Sequence, residues 1–244
     1  MSLLYEELLE KIINALKSEI DFTDFKKVKN DYNFPPMKKI GIRTPIVRKI
    51  ANDFFTELKE QGIIDIDIIL GFCENLLSER IVELRVIAFQ WALKMKRKFQ
   101  TKHFVIFENW VNMHVTGWGS CDDLCVGNLG YFLYSFPEFV PSVKSWVTSE
   151  NPMVRRAAAV SFIYSLRRKK YLEYIFDISD ALFNDDDIYV LKGYGWMLKE
   201  ASNNYQKEIF DYVQKKKKDM PRVSLRYAIE KMPQDLRKIA MSKE

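Results

Sequence analysis

Apolar residues return every three or four positions along nearly the whole chain, and that regularity excludes most folds. Leu4, Leu8, Ile12 and Leu16 form one such series, and Val82, Val86, Phe89 and Leu93 form another. This spacing lines one face of an α-helix. No convincing alternation of apolar and polar residues marks a strand. Nine glycines and eight prolines in 244 residues leave too little turn chemistry for the many short strands of a sandwich or barrel. With 48% hydrophobic residues the chain has ample apolar surface to bury, so it reads as globular.

Helix starts are also written locally. Thr44 before Pro45 predicts an N-cap followed by proline at the first helical position, and Asn151 before Pro152 repeats the device. A coarse map predicts helices near 3–18, 22–31, 45–60, 65–77, 79–97, 101–114, 120–135, 138–148, 152–168, 171–183, 187–201, 205–217, 221–231 and 234–242. Short links force consecutive helices to run antiparallel, and a succession of such pairs stacks into a solenoid rather than closing on one centre. The pair period from about 79 to 217 is roughly 35–40 residues, in the range of HEAT-like units. The expected architecture is therefore an all-α superhelix of helical repeats. It forms a single domain over 1–244, since no linker divides it.

Several function classes drop out. No run of about 18 uncharged apolar residues is present, and MSLLYEELLEK lacks the form of a secretory signal, so a cytoplasmic protein without a membrane span is expected. Cys73, Cys121 and Cys125 make no disulfide framework. Cys121 and Cys125 are one helical turn apart, but His103 and His114 form no ligand spacing with them, so they read as buried structural cysteines and no metal is expected. There is no glycine-rich phosphate loop and no histidine paired with a nucleophile, so neither cofactor nor hydrolytic triad is implied. The net charge of +5 is consistent with a polyanionic partner without requiring one. The clusters KMKRK (94–98), RRKK (167–170) and KKKK (215–218) each end an apolar-periodic segment, where cations also suit helix C-termini.

Chemistry, if present, must rest on carboxylates. In VTGWGSCDDLC (115–125), Trp118 would stand at a helix entrance with Asp122 in the first turn, where the helix dipole favours an ionised carboxylate. An indole face beside such a group offers a flat wall for a sugar or base and a charge that stabilises a cation. The plainer alternative is that Ser120 or Asp122 caps the helix and Trp118 is core. Three further segments fit the first picture. NPMVRRAAAVSF places Arg155 and Arg156 in a first turn, where cations oppose the dipole and need an anion such as phosphate. LKGYGWMLKEAS sets Trp196 one turn before Lys199, and MPRVSLRYAIEKM carries Arg222 and Arg226 one turn apart.

In the order MKKIGIRTPIVRKIA, ERIVELRVIAFQWA, GWGSCDDLC, NPMVRRAAAVSF, GYGWMLKEAS and MPRVSLRYAIEKM, the chain resembles the DNA alkylation repair proteins of the AlkD-like group, DNA glycosylases built from HEAT-like repeats. The resemblance implies that Trp118 and Asp122 contact the lesion-bearing nucleotide, with Asp123 the rival if the register slips by one. It implies that Arg156 contacts the DNA backbone, that Trp196 is the second active-site tryptophan, and that Lys199 is the basic residue after it. The implied reaction is excision of N3- or N7-alkylated purines from duplex DNA without base flipping. A concave basic face would grip the phosphates of double-stranded DNA, and a monomer suffices. Two other readings stay open: a DNA-structure-binding relative without catalysis, and a protein-binding solenoid.

Overall fold

The computed structural model describes residues 2–19, 26–28 and 36–242. Contacts gather into two compact units, Met1–Gln100 and Thr101–Glu244. Both are helical, in agreement with the all-α expectation.

In the first unit, α1 (Ser2–Lys17), α2 (Thr44–Glu60), α3 (Ile66–Ser78) and α4 (Val82–Lys94) accompany a small antiparallel hairpin of β1 (Lys26–Val28) and β2 (Met37–Lys39). The hairpin corrects the expectation of no strands, and residues 26–28 correct part of the helix expected over 22–31; the rest of that span lies outside the described residues. Pro36 before β2 and Gly41 (φ +102) after it prevent a helix there. Glu83 then pins the following loop: its buried carboxylate accepts N–H bonds from Ile40 (3.0 Å), Gly41 (2.8 Å) and Ile42 (3.3 Å). Thr44 is not the cap of α2; Arg43 holds that position without a side-chain bond, and Thr44 and Pro45 begin the helix. Helix α4 starts later than expected because Arg80 adopts a left-handed φ of 56. Trp91 is fully buried and ties α4 to α2 by donating Nε1–H to the Ala51 carbonyl at 2.7 Å.

The second unit contains α5 (Phe104–His114), α6 (Trp118–Asp122), a π-helical segment (Asp123–Leu129), α7 (Gly130–Ser135), α8 (Val140–Ser145), α9 (Pro152–Val160), α10 (Ile163–Leu166), α11 (Leu172–Ala181), α12 (Ile188–Ser202), α13 (Gln206–Lys216), α14 (Arg222–Ala228) and α15 (Gln234–Met241). The expected continuous helix over 120–135 is thus three segments, and the one over 152–168 is interrupted after Val160. Helices α6, α9, α12 and α14 begin 34–36 residues apart and pack in succession, α6 on α9, α9 on α12 and α12 on α14. This is the repeat that the helix rhythm suggests. Close approach needs small residues: Ala157, Ala158 and Ala159 are fully buried in α9. At Gly195 a Cβ would lie 2.8 Å from Tyr227 Cβ and 2.9 Å from the Ser224 carbonyl.

Caps fix where these helices start. Asn151 caps α9 as expected, its Oδ1 accepting the Met153 N–H at 2.9 Å. Asp187 caps α12 the same way, accepting from Tyr189 (2.7 Å) and Val190 (3.2 Å). Helix α11 is joined laterally to α8 by Lys144–Asp177 (2.5 Å) and to α13 by Lys216–Asp180 (2.9 Å). Apolar filling comes from fully buried Phe107, Trp110 and Phe132, each contributing about 1.5–3 kcal/mol by leaving water. Much of the clustered basic charge is structural: Lys98 donates to the Ile64 carbonyl (2.5 Å), Arg168 to that of Tyr164 (2.9 Å) and Lys217 to that of Ile239 (3.2 Å). Among the described residues no helix is long and apolar enough to cross a membrane.

Candidate active site

The repeated helices present one continuous face, and a hollow of about 280 Å³ opens on it. Trp118 and Asp122 come from α6, Arg156 from α9, Tyr189, Lys192, Trp196 and Lys199 from α12, and Tyr227 from α14. The four α12 residues follow at steps of three, four and three, which places them on one helix face. Their neighbours Val190, Tyr194 and Leu198 point into the core.

Among the described residues Asp122 is the only carboxylate lining the hollow. Arg156 holds it from behind: Nε donates to Oδ1 at 3.0 Å, and Nη2 donates to Oδ1 at 2.8 Å and to Oδ2 at 3.0 Å. The remaining Nη1 donates to the Tyr189 carbonyl at 2.5 Å. The arginine side chain is 5% exposed and the aspartate 21%, so the carboxylate is the end of the pair that meets a ligand. Three of roughly four lone-pair positions are taken, which leaves capacity on Oδ2. Burial pushes the Asp122 carboxyl above its ordinary value, against the opposing charge and hydrogen bonds of Arg156. Asp122 sits at the end of α6 rather than in its first turn, so its anion is held by Arg156 more than by the helix dipole.

Room for Arg156 comes from Gly193, where a Cβ would meet Arg156 Cγ at 3.1 Å and Nη1 at 3.2 Å. The walls are aromatic. Trp118 is 53% exposed, and its ring lies 6.5 Å from that of Tyr189 with only 20° between planes. Trp196 is fixed by its Nε1–H bond to Glu200 at 3.1 Å. Glu200 is buried and also accepts from Arg167 (2.8 Å) and Lys231 (3.3 Å). Lys192 stands 5.4 Å from the Tyr189 ring centre and Lys199 5.5 Å from that of Tyr227.

The structure thus brings together Trp118, Asp122, Arg156, Trp196 and Lys199. Asp123 does not line the hollow, and the alternative in which Trp118 is core does not hold. The anion that α9's first-turn cations were expected to need is protein, not phosphate. Arg155 makes a bidentate pair with Asp185 (2.6 and 2.9 Å) and Arg156 pairs with Asp122. Arg222 and Arg226 are exposed on α14 and do not line the hollow. Tyr189, Lys192 and Tyr227 were missed; the α12 spacing from Trp196 could have found the first two. Cys121 and Cys125 are buried with their sulfurs 4.0 Å apart, and no metal-holding cluster occurs among the described residues.

Comparison with known proteins bears on the fold and the family. A solved structure described as a predicted DNA alkylation repair enzyme from Enterococcus faecalis superposes with a TM-score of 0.70, at 16% identity, over 81% of this chain and 90% of that one. The smu.31 protein of Streptococcus mutans UA159 superposes with a TM-score of 0.53, at 17% identity, over 78% and 98%. At these identities the likeness shows the fold. A search of curated proteins finds no match. The profile of the DNA alkylation repair enzyme family, however, matches residues 12–232, nearly the whole length, and the chain belongs to that family.

Proposed function

We propose that the protein is a monofunctional DNA glycosylase that hydrolyses the N-glycosidic bond of cationic N3- or N7-alkylated purines in duplex DNA. Family membership supports a role in DNA repair; the chemistry is inferred from the hollow. The observation that carries it is Asp122, a carboxylate clamped by a buried guanidinium and turned toward an aromatic-walled recess with lysines beside it.

An alkylated purine of this class already bears positive charge, so it departs without being protonated. The C1′–N bond breaks with its electron pair going to the base, and the charge moves to the deoxyribose. Asp122 gains attraction to that sugar as the bond lengthens, which lowers the barrier more than it stabilises the bound lesion. A water oriented by the free capacity of Oδ2 then bonds through its oxygen to C1′ and loses its proton to bulk water. Trp118 and Trp196 wall the sugar and backbone with ring faces that favour positively polarised C–H groups. Trp118 is more than half exposed and so offers a wall rather than an enclosing slot. That suits a lesion approached from the backbone better than a base swung into a deep pocket.

Incubating the protein with duplex DNA containing N7-methylguanine and scoring abasic sites tests the proposal. Salt-sensitive duplex binding without base release would favour a DNA-binding relative that lacks catalysis. No duplex binding at all would favour a protein-binding repeat.

A further inference from the structure

Next to the hollow, and sharing Tyr227 with it, lies a larger groove of about 740 Å³ between α14 and α15. Arg226 lines it from α14, and Gln234, Arg237 and Lys238 line it from one face of α15. Three arginines of this unit are occupied by protein carboxylates: Arg155 by Asp185, Arg156 by Asp122 and Arg167 by Glu200. Arg226, Arg237 and Lys238 differ. All three are exposed, and among the described residues none has a protein partner. Among the described residues the one acid lining the groove is Glu230, which faces the other way electrostatically: both its oxygens accept from Lys199 at 3.2 Å. Lys199 is 13% exposed and Glu230 is 55% exposed, so the lysine belongs to the hollow and the glutamate is the partition between the two recesses.

The geometry points to this groove as a phosphodiester-binding site that holds the strand running on from the nucleotide in the hollow, with Glu230 occupying the place on Lys199 that a backbone phosphate takes when DNA binds. The inference rests on the duplex-binding part of the proposed function and extends it to residues outside the hollow. Three unpaired cations around an open groove fit a polyanion, because a phosphate satisfies guanidinium and ammonium donors alike. An apolar ligand would leave all three cations desolvated without partners. Glu230 is replaceable because an exposed ion pair is worth little, whereas each phosphate neutralised releases a condensed counterion.

The test is a salt series of fluorescence anisotropy with an undamaged duplex and the same duplex carrying N7-methylguanine. R237Q/K238Q is expected to lower the slope of log K against log salt by about 1.8 and to weaken binding roughly sixtyfold at 0.1 M salt, equally for both duplexes. R237K/K238R keeps the charge and is expected to retain the wild-type slope, which separates charge loss from misfolding. E230Q is expected to tighten binding about two- to fivefold, as the competing pair is removed. An unchanged slope and affinity in R237Q/K238Q overturns the inference, including the case in which an acidic polypeptide occupies the groove. If the wild type binds duplex with this charge dependence yet releases no base, the groove assignment stands and the glycosylase reading fails.

Discussion

Asp122→Asn isolates the charge on which the proposed chemistry depends. The amide keeps an acceptor at Oδ1 for the 3.0 and 2.8 Å bonds from Arg156, but its NH₂ faces the Nη2 donor that now bonds Oδ2 at 3.0 Å. One charge-assisted bond is lost, worth about 1.5–3 kcal/mol. The neutral amide in turn avoids the burial that pushes the Asp122 carboxyl upward. A net loss of about 1–2 kcal/mol follows, or a Tm decrease of about 2–8 °C for a chain of this size. Removing a preorganised charge from the reaction centre costs more, about 10²–10³ in rate, or roughly 2.7–4 kcal/mol. The rate effect should therefore exceed the stability effect. The assay is single-turnover release of N7-methylguanine with the melting temperature measured in parallel. Release within threefold of wild type by a folded variant would refute the argument. The same carboxylate sets an acid limit. Its folded value is raised, the ionised form is the active one, and activity should fall, as pH drops, at a higher pH than an ordinary aspartate would give. That limb should be absent from the residual activity of the variant.

Gly193→Ala places a methyl group 3.1 Å from Arg156 Cγ and 3.2 Å from Nη1, which the Tyr189 carbonyl holds in place. The helix propensity gained, up to about 1 kcal/mol, offsets the crowding. Tm should change little while release falls about tenfold or more, and an unchanged rate would separate Gly193 from the site. Arg155→Ala should cost about 3 kcal/mol in denaturant titrations, because it strands the largely buried Asp185, without altering the salt slope of duplex binding; a slope flattened by about 0.9 would make Arg155 a phosphate contact. Glu200 gives a pH signature. Burial pushes its carboxyl up, but the bonds from Arg167, Trp196 and Lys231 with the Arg167 charge outweigh this and hold it low. Its stabilisation is present above the unfolded glutamate value of about 4.3 and disappears as pH falls through the lower folded value. Urea midpoints measured downward from pH 5 should decline less steeply in Glu200→Gln, and a parallel decline would remove Glu200 as the group responsible.

The helical repeat could be read from the sequence because its signal is local and repeated: spacing of apolar residues, a cap at Asn151, and short links. Trp118, Asp122, Trp196 and Lys199 could be singled out as candidates because each sits in a short segment of unusual chemistry, and the structure places all four around one hollow. What was not legible depends on residues about one repeat apart. Nothing near Arg156 announces that its anion is Asp122, 34 positions earlier, or near Arg155 that its partner is Asp185. A phosphate was therefore expected where a carboxylate stands. Tyr189 and Lys192 resemble any helical tyrosine and lysine until α12's buried face is known. The β1–β2 hairpin was hidden because three-residue strands are too short to show an alternation, and the loop after β2 is held by the distant carboxylate of Glu83.

The π-helical stretch between α6 and α7 has a geometric consequence. Gly130 must face Tyr164, where a Cβ would come within 2.7 Å, while Asp122, eight residues earlier, must face Arg156. In a regular helix each residue advances about 100°, so deleting one position from 123–129 would swing the carboxylate roughly a quarter of a turn from its clamp while the far end stayed docked. Relatives that share this chemistry should vary freely in loop length around the repeat but keep a fixed residue count between the aspartate and that glycine.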